Sequence, residues 1–164
     1  MFAGEPPLNL FTTLAHHPAL LGSMTPLFAQ LSDGLLPSRD RELVILRLAW
    51  RKQCRYEWAH HVRIASLAGV TAKEIAGIPQ AAPSRAWNEF DAALLGAVDE
   101  LCEPNGVVSE SVWRCLEVRY DAGQMLELLV LTGMYAMAAG LLNSCATPTE
   151  AWMPDPAPLP PSAA

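Results

Sequence analysis

The sequence predicts an all-α fold: a single-domain helical bundle of about six helices that self-associates. Three observations predict it. Apolar residues recur at helical spacing throughout, no stretch sustains the alternation of a half-buried strand, and capping residues, Gly and Pro divide the pattern into helix-length segments. At 164 residues one domain can bury a core without disulfides.

The elements follow in order. From Phe11 to Leu36 the pattern reads as short helices broken at Pro18 and Pro26. Ser38 can cap a helix over residues 39–52, with Asp40 and Glu42 near its positive dipole end. A second helix spans residues 55–68 and ends at Gly69. Thr71 and Glu74 form a capping box for a short third helix stopped by Pro79. Ser84 caps a helix running to Leu101, and Pro104 with Gly106 breaks the chain after it. Ser109 opens a helix towards Val118, and Asp121 with Gln124 makes a second capping box leading a long helix to Ser144. That helix is apolar nearly all round, which places it centrally or between subunits. The helical domain is read as residues 1–145. Residues 146–164 form a Pro-rich extended tail, with five prolines in the final eleven residues. Trp152 and Met153 in this tail either dock on a neighbour or belong to a disordered end.

Hydrophobic residues make up 51% of the chain and charged residues 17%, apolar enough to predict contact with another copy. Eleven basic against seventeen acidic residues give a net charge of −6, and the only lysines are Lys52 and Lys73. Phosphate backbones demand clustered cations, so nucleic acid is excluded as a partner. No run of 18 apolar residues predicts a membrane span, and the first residues lack the basic start and apolar middle of a secretory signal. The expected compartment is cytoplasmic, with Cys54, Cys102, Cys115 and Cys145 reduced and no pair at zinc-ligand spacing.

The densest polar segment is Arg51–His61. On a helix Cys54, Glu57 and His61 fall at i, i+3 and i+7, along one stripe. Glu57 and His61, four apart, can form a carboxylate–imidazole contact, which raises the imidazole pKa and suits a proton donor near neutral pH. Glu42 lies twelve residues before Cys54, and an antiparallel return brings it over the same stripe. Plainer readings stand beside these. Glu–His pairs four apart are often weak surface contacts, and Cys54 alone reads as a small buried apolar residue. His60 points about 100° away from His61 and reads as a surface or interface residue. Trp50, Tyr56 and Trp58 can wall a dry pocket, with core packing the role of at least one. Arg55, with Arg51 and Arg63, can anchor a substrate carboxylate or serve as a solvated charge.

Several stretches resemble the carboxymuconolactone decarboxylase-like family: Arg41–Leu46, Cys54–Ala65 with Gly69-Val70-Thr71, then Asp99-Glu100-Leu101 and Glu127–Met137 with Leu142-Asn143. The resemblance runs from about Leu10 to Asn143. It implies an alkylhydroperoxidase D-like helical fold and a homo-oligomer, commonly a trimer or a hexamer. The alkylhydroperoxidase D branch carries Glu, eleven residues, Cys, two residues, Cys, three residues, His. Glu42, Cys54 and His61 match in register, but Glu57 stands at the second cysteine. A carboxylate cannot resolve a disulfide, so dithiol chemistry lacks its partner.

The sequence is closer to the decarboxylase branch, which implies a carbon–carbon lyase acting on a carboxylated lactone or keto-type small molecule, without metal or organic cofactor. His61 is then the proton donor, Glu57 tunes it, Glu42 is a second acid/base or orienting group, and Cys54 lines the pocket or assists. Isomerisation, dehydration and cyclisation fit the same residues. Two other readings stand beside it: a thiol-dependent peroxidase or reductase using Cys54, and a non-catalytic oligomeric accessory protein.

Overall fold

The structure, a computed structural model, describes residues 6–80, 87–153 and 158–161. Among these residues it is all helical, with eight helices: α1 (Asn9–Leu14), α2 (Pro18–Ser32), α3 (Ser38–Arg51), α4 (Arg55–Leu67), α5 (Ala72–Gly77), α6 (Glu89–Leu101), α7 (Glu110–Leu116) and α8 (Ala122–Ser144). The six helices read between residues 39 and 144 are α3–α8, and α1 and α2 precede them.

Local signals act much as the sequence suggests, with three corrections. Both capping boxes form, at Thr71/Glu74 and Asp121/Gln124. Pro18 starts α2 rather than breaking a helix, and Pro26 lies inside α2. The bond lost at Pro26 frees the carbonyl of Gly22, which is exposed and can bond water instead. Ser38 is the first helical residue of α3 and caps nothing, since Pro37 holds the cap position. Asn88 caps α6 by accepting from the Asp91 backbone N–H at 2.8 Å; Ser84 lies outside the described residues.

The buried axis of the bundle is α3, not the uniformly apolar α8. Leu43, Val44, Leu46, Leu48 and Ala49 are fully buried, and α3 packs against α4, α6 and α8. Its charged residues tolerate this because each is paired. Asp40 accepts from the Tyr120 hydroxyl at 2.8 Å. Arg47 forks onto Asp99 at 2.9 and 2.7 Å and donates to the Ile78 carbonyl. Helix α8 buries Met125, Leu128, Leu131, Met134 and Leu142 and leaves Leu126, Val130 and Met137 exposed. By length and composition alone α8 could cross a bilayer; here it packs on α3, α4 and α6.

A tight turn aligns α3 with α4. Gln53 takes a left-handed conformation (φ 49°), and the Cys54 N–H reaches back to the Ala49 carbonyl at 2.8 Å. The Gln53 side chain also donates to the Trp50 carbonyl at 2.7 Å. Three residues thus reverse the chain, so that the start of α3 faces the later turns of α4. A similar closure ends α8, where Ala146 has φ 49° and the Thr147 N–H bonds the Leu142 carbonyl at 3.0 Å. The segment that follows folds back on its own chain. Glu150 and Met153 are buried, Trp152 is half-buried, Leu159 packs on the core, and Trp50 donates to the Pro161 carbonyl at 3.2 Å.

Candidate active site

A cavity of about 290 Å³ opens where α1, α2, α4 and α8 meet the first turns of α3. Its walls are mostly apolar: Leu8, Leu10 and Phe11 on the α1 side, Phe28 and Ala29 from α2, and Ala138 and Leu142 from α8. Polar lining groups include Thr25 and Ser32 from α2 and Tyr56 and His60 from α4, and five others are central to the site. These are Arg41 and Glu42 from α3, Glu57 and His61 from α4, and Tyr135 from α8.

Glu42 is the organiser. Its buried carboxylate accepts from Arg41 Nε at 3.1 Å on one oxygen and bonds His61 Nδ1 at 2.7 Å on the other. Arg41 also donates to the Ser32 carbonyl at 2.6 Å, which fixes the guanidinium. A carboxylate oxygen accepts, so His61 Nδ1 is assigned as the donor to Glu42, which leaves Nε2 for a ligand. The carboxylate partner of His61 is therefore Glu42, not Glu57 four residues earlier. The short α3–α4 turn brings Glu42 over the ring, whereas Glu57 sits lower on the same stripe. Tyr135 packs edge-on against His61, with ring centres 5.2 Å apart at 82°.

Glu57 lines the same cavity and is buried, and neither carboxylate oxygen has a hydrogen-bond partner. Burial pushes its carboxyl up to about 8, an effect the neighbouring Cys54 thiol only partly offsets. Near neutral pH it is a carboxylic acid and can donate. Tyr135 stays a phenol: burial, then the nearby Glu42 and Glu57 charges, raise it beyond the usual phenol range.

The sequence-derived candidates separate here. His61, Glu42, Glu57 and Tyr56 share the cavity. Cys54 is fully buried, is absent from the lining, and is pushed up to about 12 by burial and the Glu57 charge. Trp58 and Trp50 are buried in the core cluster away from the cavity. Arg55 is exposed and borders a different hollow with Thr147 and Thr149. Arg41 and Tyr135 are additional lining groups; both stood inside the recognised stretches, but helical spacing alone ties neither to Glu42 or His61.

His60 corrects the surface reading, for it is buried and lines the cavity. Its Nε2 bonds Glu150, which also accepts from the Tyr56 hydroxyl and from the Asn9 N–H at 2.7 Å. Burial opposes ionisation of Glu150, yet these donors and the neighbouring His60 outweigh it and hold the carboxyl below its usual range. Burial conversely lowers His60, against the pull of Glu150. No sequence signal pointed to Glu150, because ninety residues separate it from His60. Among the described residues no three His, Cys, Asp or Glu side chains group to hold a metal ion.

A sequence model of the Carboxymuconolactone decarboxylase family matches residues 18–99, half of the chain. The chain belongs to that family. The match includes Arg41, Glu42, Cys54, Glu57 and His61, and it stops before Tyr135 and Glu150. No curated protein sequence matches the chain.

Solved structures share its fold. One is the alkylhydroperoxidase AhpD core, an uncharacterized peroxidase-related protein from Ralstonia eutropha JMP134, at TM-score 0.76 and 18% identity, covering 88% of this chain and 77% of that one. A second is an uncharacterized peroxidase-related protein from Silicibacter sp. TM1040, at 0.76 and 14%, covering 89% and 78%. A third is a cysteine-to-alanine variant of the debrominase Bmp8 in complex with 2,3,4-tribromopyrrole, at 0.74 and 15%, covering 88% and 78%. At these identities the likeness establishes an AhpD-like fold and no activity.

Proposed function

We propose that this family member is a cofactor-independent acid/base enzyme acting on a small lactone or keto-type ring compound. The observation that carries the reading is the Arg41–Glu42–His61 chain beside the unpartnered Glu57. It presents a proton acceptor and a proton donor to one apolar cavity. Proton removal next to a carbonyl builds negative charge on its oxygen, and a neutral carboxylic acid stabilises that oxygen as the charge develops. His61 Nε2 takes the proton, Glu57 donates to the oxygen, and Glu42 keeps the ring oriented and stabilises the imidazolium that forms. His61 is then the base rather than the initial donor, and it returns the proton to carbon at the end of the cycle. Isomerisation passes through such an enolate by this proton transfer; decarboxylation, the reaction in the family's name, reaches it by loss of carbon dioxide instead, and His61 then has to carry the proton that the carbon receives.

A thiol mechanism has less support. Cys54 is fully buried, stays protonated, and has Glu57 where a resolving thiol would stand. The exposed stripe of Leu126, Val130 and Met137 on α8 supports self-association, with a trimer or hexamer as the assembly the family suggests.

The test is a panel of lactones, cyclic ketones and β-keto acids, followed for deuterium uptake from solvent and for carbon dioxide release. His61→Ala should abolish turnover on the active compounds while circular dichroism shows an intact helical fold. Full turnover in that folded variant would remove His61 from the chemistry and end this reading.

A further inference from the structure

We infer that Arg41 is the specificity residue of the cavity and holds a carboxylate that a ring-shaped substrate keeps through the reaction. The inference rests on the acid/base site described above and deepens it, by naming what the site recognises away from the reacting carbon.

The donors of Arg41 lead to it. A guanidinium carries five N–H groups in one plane. Nε donates to Glu42 at 3.1 Å and Nη1 to the Ser32 carbonyl at 2.6 Å, while Nη2 donates to nothing among the described residues. Two bonds thus fix the plane of the group and leave its remaining N–H groups uncommitted. Only 12% of the side chain is exposed, so solvent satisfies them poorly. Arg41 is also the only Lys or Arg that lines the cavity. Arg51, Arg55 and Arg63 are exposed and line none of it.

A carboxylate suits this position better than a neutral acceptor, because it brings two oxygens and a charge to a planar, pre-set donor. Glu42 does not cancel the attraction. Its charge is divided between Arg41 and His61, and it sits on the Nε edge of the guanidinium. A carboxylate on Nη2 lies at hydrogen-bond range of the cation and farther from Glu42, and Coulomb energy falls with distance. The Glu57 carboxyl, the Tyr135 phenol and His61 Nε2 remain for the reacting oxygen and its neighbouring proton.

Glu42 also joins the anchor to the base. It bonds both Arg41 and His61, so a ligand seated on Arg41 is held in register with the imidazole. The carboxylate on Arg41 is one that the reaction keeps. A guanidinium bond to a departing carboxylate would stabilise the reactant over the transition state. The ring itself meets Phe11 and Phe28, which pack edge-on at 6.0 Å and 89°, and the volume of about 290 Å³ limits the ligand to a small molecule.

Calorimetry on the full chain at pH 7 tests the inference with benzoate and benzamide, which are alike in shape and differ in charge. Benzoate should bind at least about tenfold more tightly, a preference of about 1.4 kcal/mol or more. Arg41→Gln should remove the preference by weakening benzoate and leave benzamide little changed. Arg41→Lys should keep part of it, since the ammonium retains the charge and loses the planar fork. Ala138→Phe, which fills the cavity from α8, should abolish benzoate binding. A wild-type crystal soaked with 4-bromobenzoate should show its carboxylate on Arg41 Nη2, a result that does not depend on how any variant folds. A smaller preference in the wild type, or no benzoate binding at millimolar concentration, would overturn the inference. So would a preference kept in Arg41→Gln, benzoate binding untouched by Ala138→Phe, or a carboxylate bound away from Arg41. Equilibrium affinities need no turnover, so Arg41 can fail as the anchor while His61 proves catalytic, and the reverse.

Discussion

Replacing Glu57 by Gln should make the protein more stable, and the gain should grow with pH. In the folded chain burial moves the Glu57 carboxyl from an ordinary value near 4.5 to about 8. Between those pH values the folded chain holds a proton that the unfolded chain has released. The proton difference, unfolded minus folded, is negative there, so stability falls as pH rises. The full loss, complete once the pH exceeds the folded value, is roughly 5 kcal/mol at about 1.4 kcal/mol per pH unit. Relaxation of the site and water entry through the cavity reduce this to roughly 2–5 kcal/mol.

Urea unfolding from pH 5 to pH 9 measures the effect directly. Gln keeps the volume and removes the titration, so the two proteins should be close at pH 5 and diverge to several kcal/mol by pH 9. His60 works in the opposite sense. Its folded pKa is lowered by burial, so its contribution rises with pH up to the ordinary imidazole value, and it cancels in the comparison because both proteins carry it. Parallel stability profiles, differing by less than about 1 kcal/mol at pH 9, would show that Glu57 is ionised and solvated. The proton donor of the proposed mechanism would then be lost.

Four further outcomes follow from the same contacts. Glu42→Gln removes the carboxylate from both Arg41 and His61, and kcat should drop roughly 10²–10⁴-fold with the fold intact by circular dichroism. Glu150→Ala strands the donors of Asn9, Tyr56 and His60; urea unfolding should show a loss of roughly 2–4 kcal/mol, and hydrogen exchange should quicken in α1. Gly34→Ala places a Cβ 2.3 Å from the Glu127 carboxylate, which caps the Leu35 and Leu36 N–H groups at 2.8 and 2.9 Å; thermal unfolding should register a cost of about 1–3 kcal/mol. Val130→Glu on the exposed stripe of α8 should shift any assembly towards monomer in light scattering without loss of helicity.

The parts of the fold that local chemistry controls were legible in the sequence. Both capping boxes form, and the α3–α4 reversal lies where the pattern breaks. The burial of α3 was less legible, because periodicity treats Asp40, Glu42 and Arg47 as marks of a solvent face. Their partners Tyr120, His61 and Asp99 come from other helices, and only tertiary pairing makes these charges compatible with the core. The site shows the same division. Spacing placed Glu57 and His61 on one stripe, yet the partner of His61 depended on how closely α4 folds back on α3. Trp50 and Trp58 read as pocket walls, with core packing the role of at least one of the aromatic trio, and both pack in the core.

The two adjacent histidines contrast the pair proposed to react with one that holds the structure. On α4, Tyr56 and His60 form one i, i+4 row, and Glu57 and His61 form the next; the cavity touches both. Each histidine bonds a buried carboxylate, so a carboxylate–imidazole pair is not by itself diagnostic. In the first row Glu150 holds the Tyr56 hydroxyl and His60 Nε2 together, and the same oxygen that meets Tyr56 accepts the Asn9 N–H, so that row clamps α1 to the tail. In the second row Glu42 occupies only His61 Nδ1, and the Glu57 oxygens stay unpartnered. A buried acid without a hydrogen bond is costly to keep, and ligand binding is the event that can satisfy it. On the proposed reading the chemistry falls to the row that folding leaves incomplete.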